Sequence, residues 1–162
     1  MSAMRLRRGF TVIEMLMTVT LLAVLVALGA PNLRNLVISQ RVKTAASDLH
    51  LSISLARSEA IKRNAAVDIV PVSTADWSQG WSVKAGTSVL MTQDPYKNVA
   101  FTGPAANVTY VGTGRMTGTA VLFFIHSTEA PAIAARCVQI EPSGRPSVRV
   151  DGDGNSADGV CG

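Results

Sequence analysis

Apolar positions are arranged in three ways along the 162 residues, and each arrangement predicts a different element. From Phe10 to Ala30 they are nearly continuous: 21 residues with one charge, Glu14, and three threonines, Thr11, Thr18 and Thr20. As an α-helix rising about 1.5 Å per residue, that run spans roughly 32 Å, one hydrocarbon core of a bilayer. From Leu33 onward the apolar positions become periodic. Leu33, Leu36 and Val37 form one cluster; Val42, Ala45, Ala46, Leu49, Ile53, Ala56, Ala60 and Ile61 follow at helical steps. This is the stripe of an amphipathic helix. Gly29 and Pro31 weaken the junction, the proline by removing one intrahelical hydrogen bond and kinking the rod. The pattern predicts one long bent helix from about Thr11 to Asn64.

Beyond Asn64 the texture changes to short β-prone runs separated by Gly, Pro, Asn and Ser. The candidate strands are Val67 to Val72, Gly80 to Lys84, Ser88 to Met91, Asn107 to Val111, Ala120 to His126, Arg136 to Glu141 and Ser147 to Val150. Val121 to Ile125 is apolar throughout, which predicts a strand buried on both faces. Val67 to Val70 alternates and predicts one wet face. The fold class is α+β: a long N-terminal helix, transmembrane in its first half, packed through its second half against a C-terminal antiparallel β domain. The expected divisions are a leader at 1–9, a membrane and assembly helix at 10–30, the amphipathic half of the helix at 31–64, and a β-rich globular domain at 65–162.

Composition fits this division. The chain is 48% hydrophobic and only 5% aromatic, enough for one span and one small domain. The formal charge of +4 misleads, because Arg5, Arg7 and Arg8 precede the apolar run. Without the first nine residues, 12 basic residues face 11 acidic ones, a net charge of +1. The basic leader favours a cytoplasmic N-terminus in the inner membrane and puts the rest in the periplasm. Between Arg34 and Arg63 six basic residues face two acids, Asp48 and Glu59. That reads as a solvated face, or as docking to lipid head groups or acidic neighbours. No enzyme is expected. There is no Ser/His/Asp arrangement with recognisable spacing and no phosphate-cradling glycine loop, and His50 and His126 lie on different predicted elements.

Two ordinary explanations of the opening run leave Glu14 unexplained. A cleaved signal peptide has the basic region, the apolar region and small residues such as Ala27, Gly29 and Ala30. A charge inside it costs insertion free energy for no gain, and Pro31 follows the most natural cut. A plain anchor explains only the length, since an acidic side chain within a span is expensive and marks a function.

The junction Gly9-Phe10-Thr11-Val12-Ile13-Glu14 resembles the processing site of type IV prepilins and pseudopilins. The resemblance implies that a prepilin peptidase cuts after Gly9 and methylates the new amine on Phe10. It makes Glu14, fifth in the mature chain, the residue of subunit assembly, and it places Pro31 where the family often carries a proline. The physical logic of Glu14 agrees. A carboxylate in low dielectric needs a cationic partner, and no Lys or Arg follows before Arg34. The N-terminal amine of a neighbouring subunit can supply one, and the pairing sets axial register.

Leu49 to Asn64, LHLSISLARSEAIKRN, narrows the likeness to minor pilins and minor pseudopilins of the GspH/FimT type. The segment from Asp76 to Val83, with its tryptophan-glycine-tryptophan turn and strand, is similar to the same group. The resemblance covers residues 9–83 best. It implies a subunit that helps to initiate or cap a type IV pilus or a type II secretion pseudopilus. The implied partners are other pilin or pseudopilin subunits, the prepilin peptidase and an inner-membrane assembly platform.

The C-terminal third holds the remaining candidate chemistry. Cys137 and Cys161 are the only cysteines, and an even pair in an oxidising compartment reads as a disulfide. Closing about 25 residues is worth roughly 3.5 kcal/mol by loop entropy. Asp151, Asp153 and Asn155 place oxygen ligands at alternating positions, as the start of a calcium loop does. Ser156 stands where such a loop has glycine and Gly162 where it has glutamate, so a polar turn is the competing reading and no other cofactor is expected. Gly144-Arg145-Pro146-Ser147-Val148-Arg149 resembles the G-R-x-R motif of DNA-binding FimT-like pilins, with the arginines four apart rather than two. On a strand that spacing keeps both on one face. The alternative function is therefore a DNA-binding minor pilin acting in DNA uptake.

Overall fold

The computed structural model describes residues 10–152 and 161–162, with the side chains of 30 and 31 excepted. The leader with Gly9, and Asp153 and Asn155 of the calcium reading, lie outside the described residues. One helix, α1, runs from Val12 to Arg63. The chain divides into two compact units between Leu36 and Val37.

In the first unit every described side chain of α1 is exposed. Its apolar window has a mean hydropathy of 2.4, so the helix is long and apolar enough to cross a membrane.

In the second unit the helix buries one stripe: Ile38, Val42, Ala45, Ala46, Leu49, Ser52, Ile53, Ala56 and Ala60. Ile61 was expected in that stripe but is 52% exposed, as Leu33, Leu36 and Val37 also are exposed. Ile61 sits one position, about 100°, beyond Ala60, which carries it past the edge of the contact. The helix ends where Asn64 takes a left-handed conformation (φ 48°). Ala65 N–H then donates to Ala60 O at 3.2 Å and Asn64 N–H to Ile61 O at 3.2 Å. This is a Schellman cap, with asparagine in glycine's usual place.

Among the described residues eight strands follow: β1 (Val67–Ser73), β2 (Asp76–Ala85), β3 (Ser88–Gln93), β4 (Val99–Thr102), β5 (Val108–Tyr110), β6 (Val121–Ser127), β7 (Arg136–Ile140) and β8 (Pro146–Val150). They form two antiparallel sheets, ordered β3-β2-β1-β5 and β4-β6-β7-β8. The inner faces of both sheets share one core with the helix stripe. Two features differ from the sequence reading. β4 was not expected; it is four residues long but alternates correctly, with Val99 and Phe101 buried. β2 begins at Asp76 rather than Gly80, so Trp77 lies in the strand and the turn falls at residues 74–75. Gly80, at φ 89°, passes so close to Gln93 O that no Cβ fits.

At the centre, Trp81 is fully buried and donates its indole N–H to Ser52 Oγ at 2.8 Å. Ser52 in turn donates to Asp48 O at 2.8 Å. Tyr96 stacks on Trp81 and donates its hydroxyl to Asp48 Oδ2 at 2.7 Å. Burial, then the Asp48 carboxylate, push the Tyr96 phenol above its ordinary pKa. Trp77 donates to Pro104 O at 2.9 Å and meets Phe123 edge-on.

β6 is buried on both faces at Phe123, Phe124 and Ile125, while Leu122 emerges at 39%. Phe124 points away from the main core into a second, small cluster with Ala135, Cys137 and Cys161. Cys137 and Cys161 form a disulfide. Replacing both by serine is expected to lower the unfolding free energy by roughly 3.5 kcal/mol. The check is denaturant unfolding of the mature chain, with the reduced wild type alongside; equal midpoints for all three would refute it.

Candidate functional site

The candidate assembly site is the head of α1. Phe10 stands before the first turn and is 82% exposed. Thr11 accepts the Glu14 N–H on its Oγ1 at 3.3 Å, and its carbonyl accepts the Met15 N–H at 3.1 Å. Thr11 is therefore the N-cap, and Thr11-x-x-Glu14 has the spacing of a capping box. That spacing is the sequence signal for Thr11, a residue absent from the candidate sites above. Glu14 itself lies in the first turn, where the positive end of the helix favours a carboxylate.

The other polar groups of the run are satisfied within it. Thr18 donates to Met15 O at 2.9 Å, and Thr20 to Leu16 O at 3.0 Å and Met17 O at 2.9 Å. Such back-bonding lets a hydroxyl sit in apolar surroundings. Glu14 is exposed and forms no ion pair among the described residues. Of the polar side chains between Val12 and Gly29, its carboxylate is the one left exposed without a partner among the described residues.

The C-terminal candidates separate. Arg145 lies in the hairpin between β7 and β8, and Arg149 lies on the edge strand β8 opposite Cys137. Both are exposed. Asp151 turns inward: it is 4% exposed, its N–H donates to Ala135 O at 3.0 Å, and its Oδ1 accepts Gly162 N–H at 3.0 Å. Its Oδ2 is buried without a partner among the described residues. Among those residues no three His, Cys, Asp or Glu side chains come together as a metal site.

Comparison with known proteins follows this geometry. Residues 4–30 match the prokaryotic N-terminal methylation motif. The crystal structure of the Pseudomonas aeruginosa type IV minor pilin FimU is similar, with a TM-score of 0.59 and 23% identity, over 66% of this chain and 91% of that one. The minor pseudopilin EpsH from the type 2 secretion system of Vibrio cholerae is similar with a TM-score of 0.55 and 12% identity, over 69% of this chain and 98% of that one. At these identities the likeness concerns the fold, a pilin fold of one long helix packed on antiparallel sheets. The methylation motif and the apolar helix fit a membrane-anchored pilin. Residues 45–144, well over half of the chain, match the family of type II transport protein GspH, and the chain belongs to that family of pilin-like structural subunits, which are not enzymes.

Proposed function

We propose that this chain is a minor subunit that helps to initiate or cap a type IV pilus or a type II secretion pseudopilus. It enters the inner membrane with its N-terminus cytoplasmic and its β domain periplasmic. A prepilin peptidase cuts after Gly9 and methylates Phe10, and the assembly platform passes the subunit to the filament. The observation that carries this reading is the exposed Glu14 in a run whose threonine hydroxyls are turned onto their own helix. An outward carboxylate there calls for a cation from another chain, and the amine of a neighbouring mature subunit is one.

The test is intact mass and N-terminal sequencing of the chain from membranes with and without the peptidase. The expected product begins at methylated Phe10 only when the peptidase is present. A chain starting near Ala30 or Pro31, or uncut in both membranes, would overturn the reading.

A second reading, DNA capture during uptake, is favoured by Arg145 and Arg149, which are exposed and outside every ion pair among the described residues. It predicts a mobility shift of duplex DNA at low salt that weakens when both arginines become alanine. No shift by the wild-type protein would remove it.

A further inference from the structure

The far end of α1 carries a feature that assembly through Glu14 does not use. The turn after β5 folds over the last helical turns: Gly112 lies against Asn64, and a Cβ on Gly114 would stand 2.6 Å from Ile61 Cδ1. The hairpin between β7 and β8 rests on the same turn, with Gly144 packed against Gly114 O too closely for any Cβ. Two hydrogen bonds fix this stack. Arg57 Nε–H donates to Gly114 O at 3.0 Å, and Tyr110 OH donates to Gly144 O at 3.1 Å. Burial pushes the Tyr110 phenol up to about 12 despite the nearby Arg57 guanidinium.

The stack gathers three arginines that are distant in sequence. Arg57 comes from the helix, Arg115 follows Gly114, and Arg145 follows Gly144. Arg115 and Arg145 are exposed over buried glycines, and between the elements Ile61 stays 52% exposed. The ion pairs at this end, Lys62 and Arg63 with Glu59, leave all three arginines out among the described residues. Glu141 is held by Ser143 Oγ at 3.3 Å.

We infer that this corner is a docking surface for an adjacent pilin-like subunit, which presents an Asp or Glu beside an apolar side chain. The inference rests on the filament reading above. An exposed isoleucine on the same glycine-fixed corner as two exposed arginines has the composition of a protein interface, which combines apolar side chains with arginine anchors. Duplex DNA would use the arginines alone and leave the exposed Ile61 without a role, whereas a protein partner uses both. A single carboxylate needs only a positive charge within reach.

The test places a photo-reactive benzoylphenylalanine at Ile61 of the full chain, in a host that makes its own pilin-like subunits. The expected cross-link joins a pilin-like subunit through a peptide containing Asp or Glu. Reversing both exposed charges, Arg115→Glu with Arg145→Glu, lowers its yield about tenfold. The pair Arg115→Lys with Arg145→Lys keeps most of it, and lysine at the partner's acid restores it against the reversed pair. Unchanged melting of the reversed pair separates lost docking from lost folding. A yield indifferent to charge reversal, or cross-links to lipid or DNA alone, would overturn the inference. Failure of the filament reading would show separately, as wild-type chain uncut at Gly9 in the same membranes, and would take this inference with it.

Discussion

Glu14→Val is expected to be cut after Gly9 as the wild type is, yet to fall about a hundredfold in the sheared filament fraction. The loss follows from what the substitution leaves behind. Valine is more compatible with a bilayer than glutamate, so insertion does not suffer. The Thr11 cap uses the Glu14 backbone N–H, so the helix start survives as well. The neighbour's amine is stranded: a cation in low dielectric with no partner is costly. Immunoblots of membranes and sheared filaments from one culture check both halves. Incorporation of Glu14→Val at the wild-type level would end the proposal that the carboxylate drives assembly. Thr11→Val, which loses the cap but keeps the charge, should give a milder defect that Thr11→Ser repairs.

Trp81→Ala is expected to destabilise the β domain by about 3–5 kcal/mol, the largest effect of any single side-chain truncation. Trp81 is fully buried, stacks on Tyr96, meets Phe101 edge-on and holds Ser52 of the helix. Its removal opens a cavity where the helix stripe meets β2. Ser52→Ala tests the polar part alone. It keeps the packing but leaves a buried indole N–H unpaired, at about 1–3 kcal/mol. Denaturant unfolding of the mature chain measures both. A Trp81→Ala loss no larger than that of Ser52→Ala would show that the hydrogen bond, and not the volume, holds the helix to the sheet.

What the sequence made legible follows the reach of its signals. The helix end is readable because the helical stripe gives way after Asn64 to short β-prone runs; the left-handed asparagine that caps it is what the structure adds. The disulfide was readable from number and compartment. β4 escapes the sequence pattern because four residues are too few for an alternation to stand out. The sequence pattern starts β2 at Gly80 and leaves Trp77 in the turn before it. In the fold Gly80 permits a close pass by Gln93 inside a continuous strand. In the sequence Asp151 reads as a calcium ligand or as part of a polar turn. Its inward turn depends on Ala135 and Gly162, contacts that no local pattern announces. The arginine corner was illegible for the same reason, since two glycine contacts join three separate segments.

The threonines of the apolar run have one more consequence. With their hydroxyls folded onto their own carbonyls, the flank of the helix offers a neighbour little but hydrocarbon. Two such flanks can slide along each other with almost no preferred stop, because each step exchanges one apolar contact for another. If assembly runs through Glu14 as proposed, the energy profile of that sliding has its deepest well where the carboxylate meets a cation. Such a profile is tolerant: subunits that differ in most of their helix side chains can be added to the same stack, provided each carries the acid at the same depth. A filament that mixes a scarce subunit with abundant ones needs that tolerance.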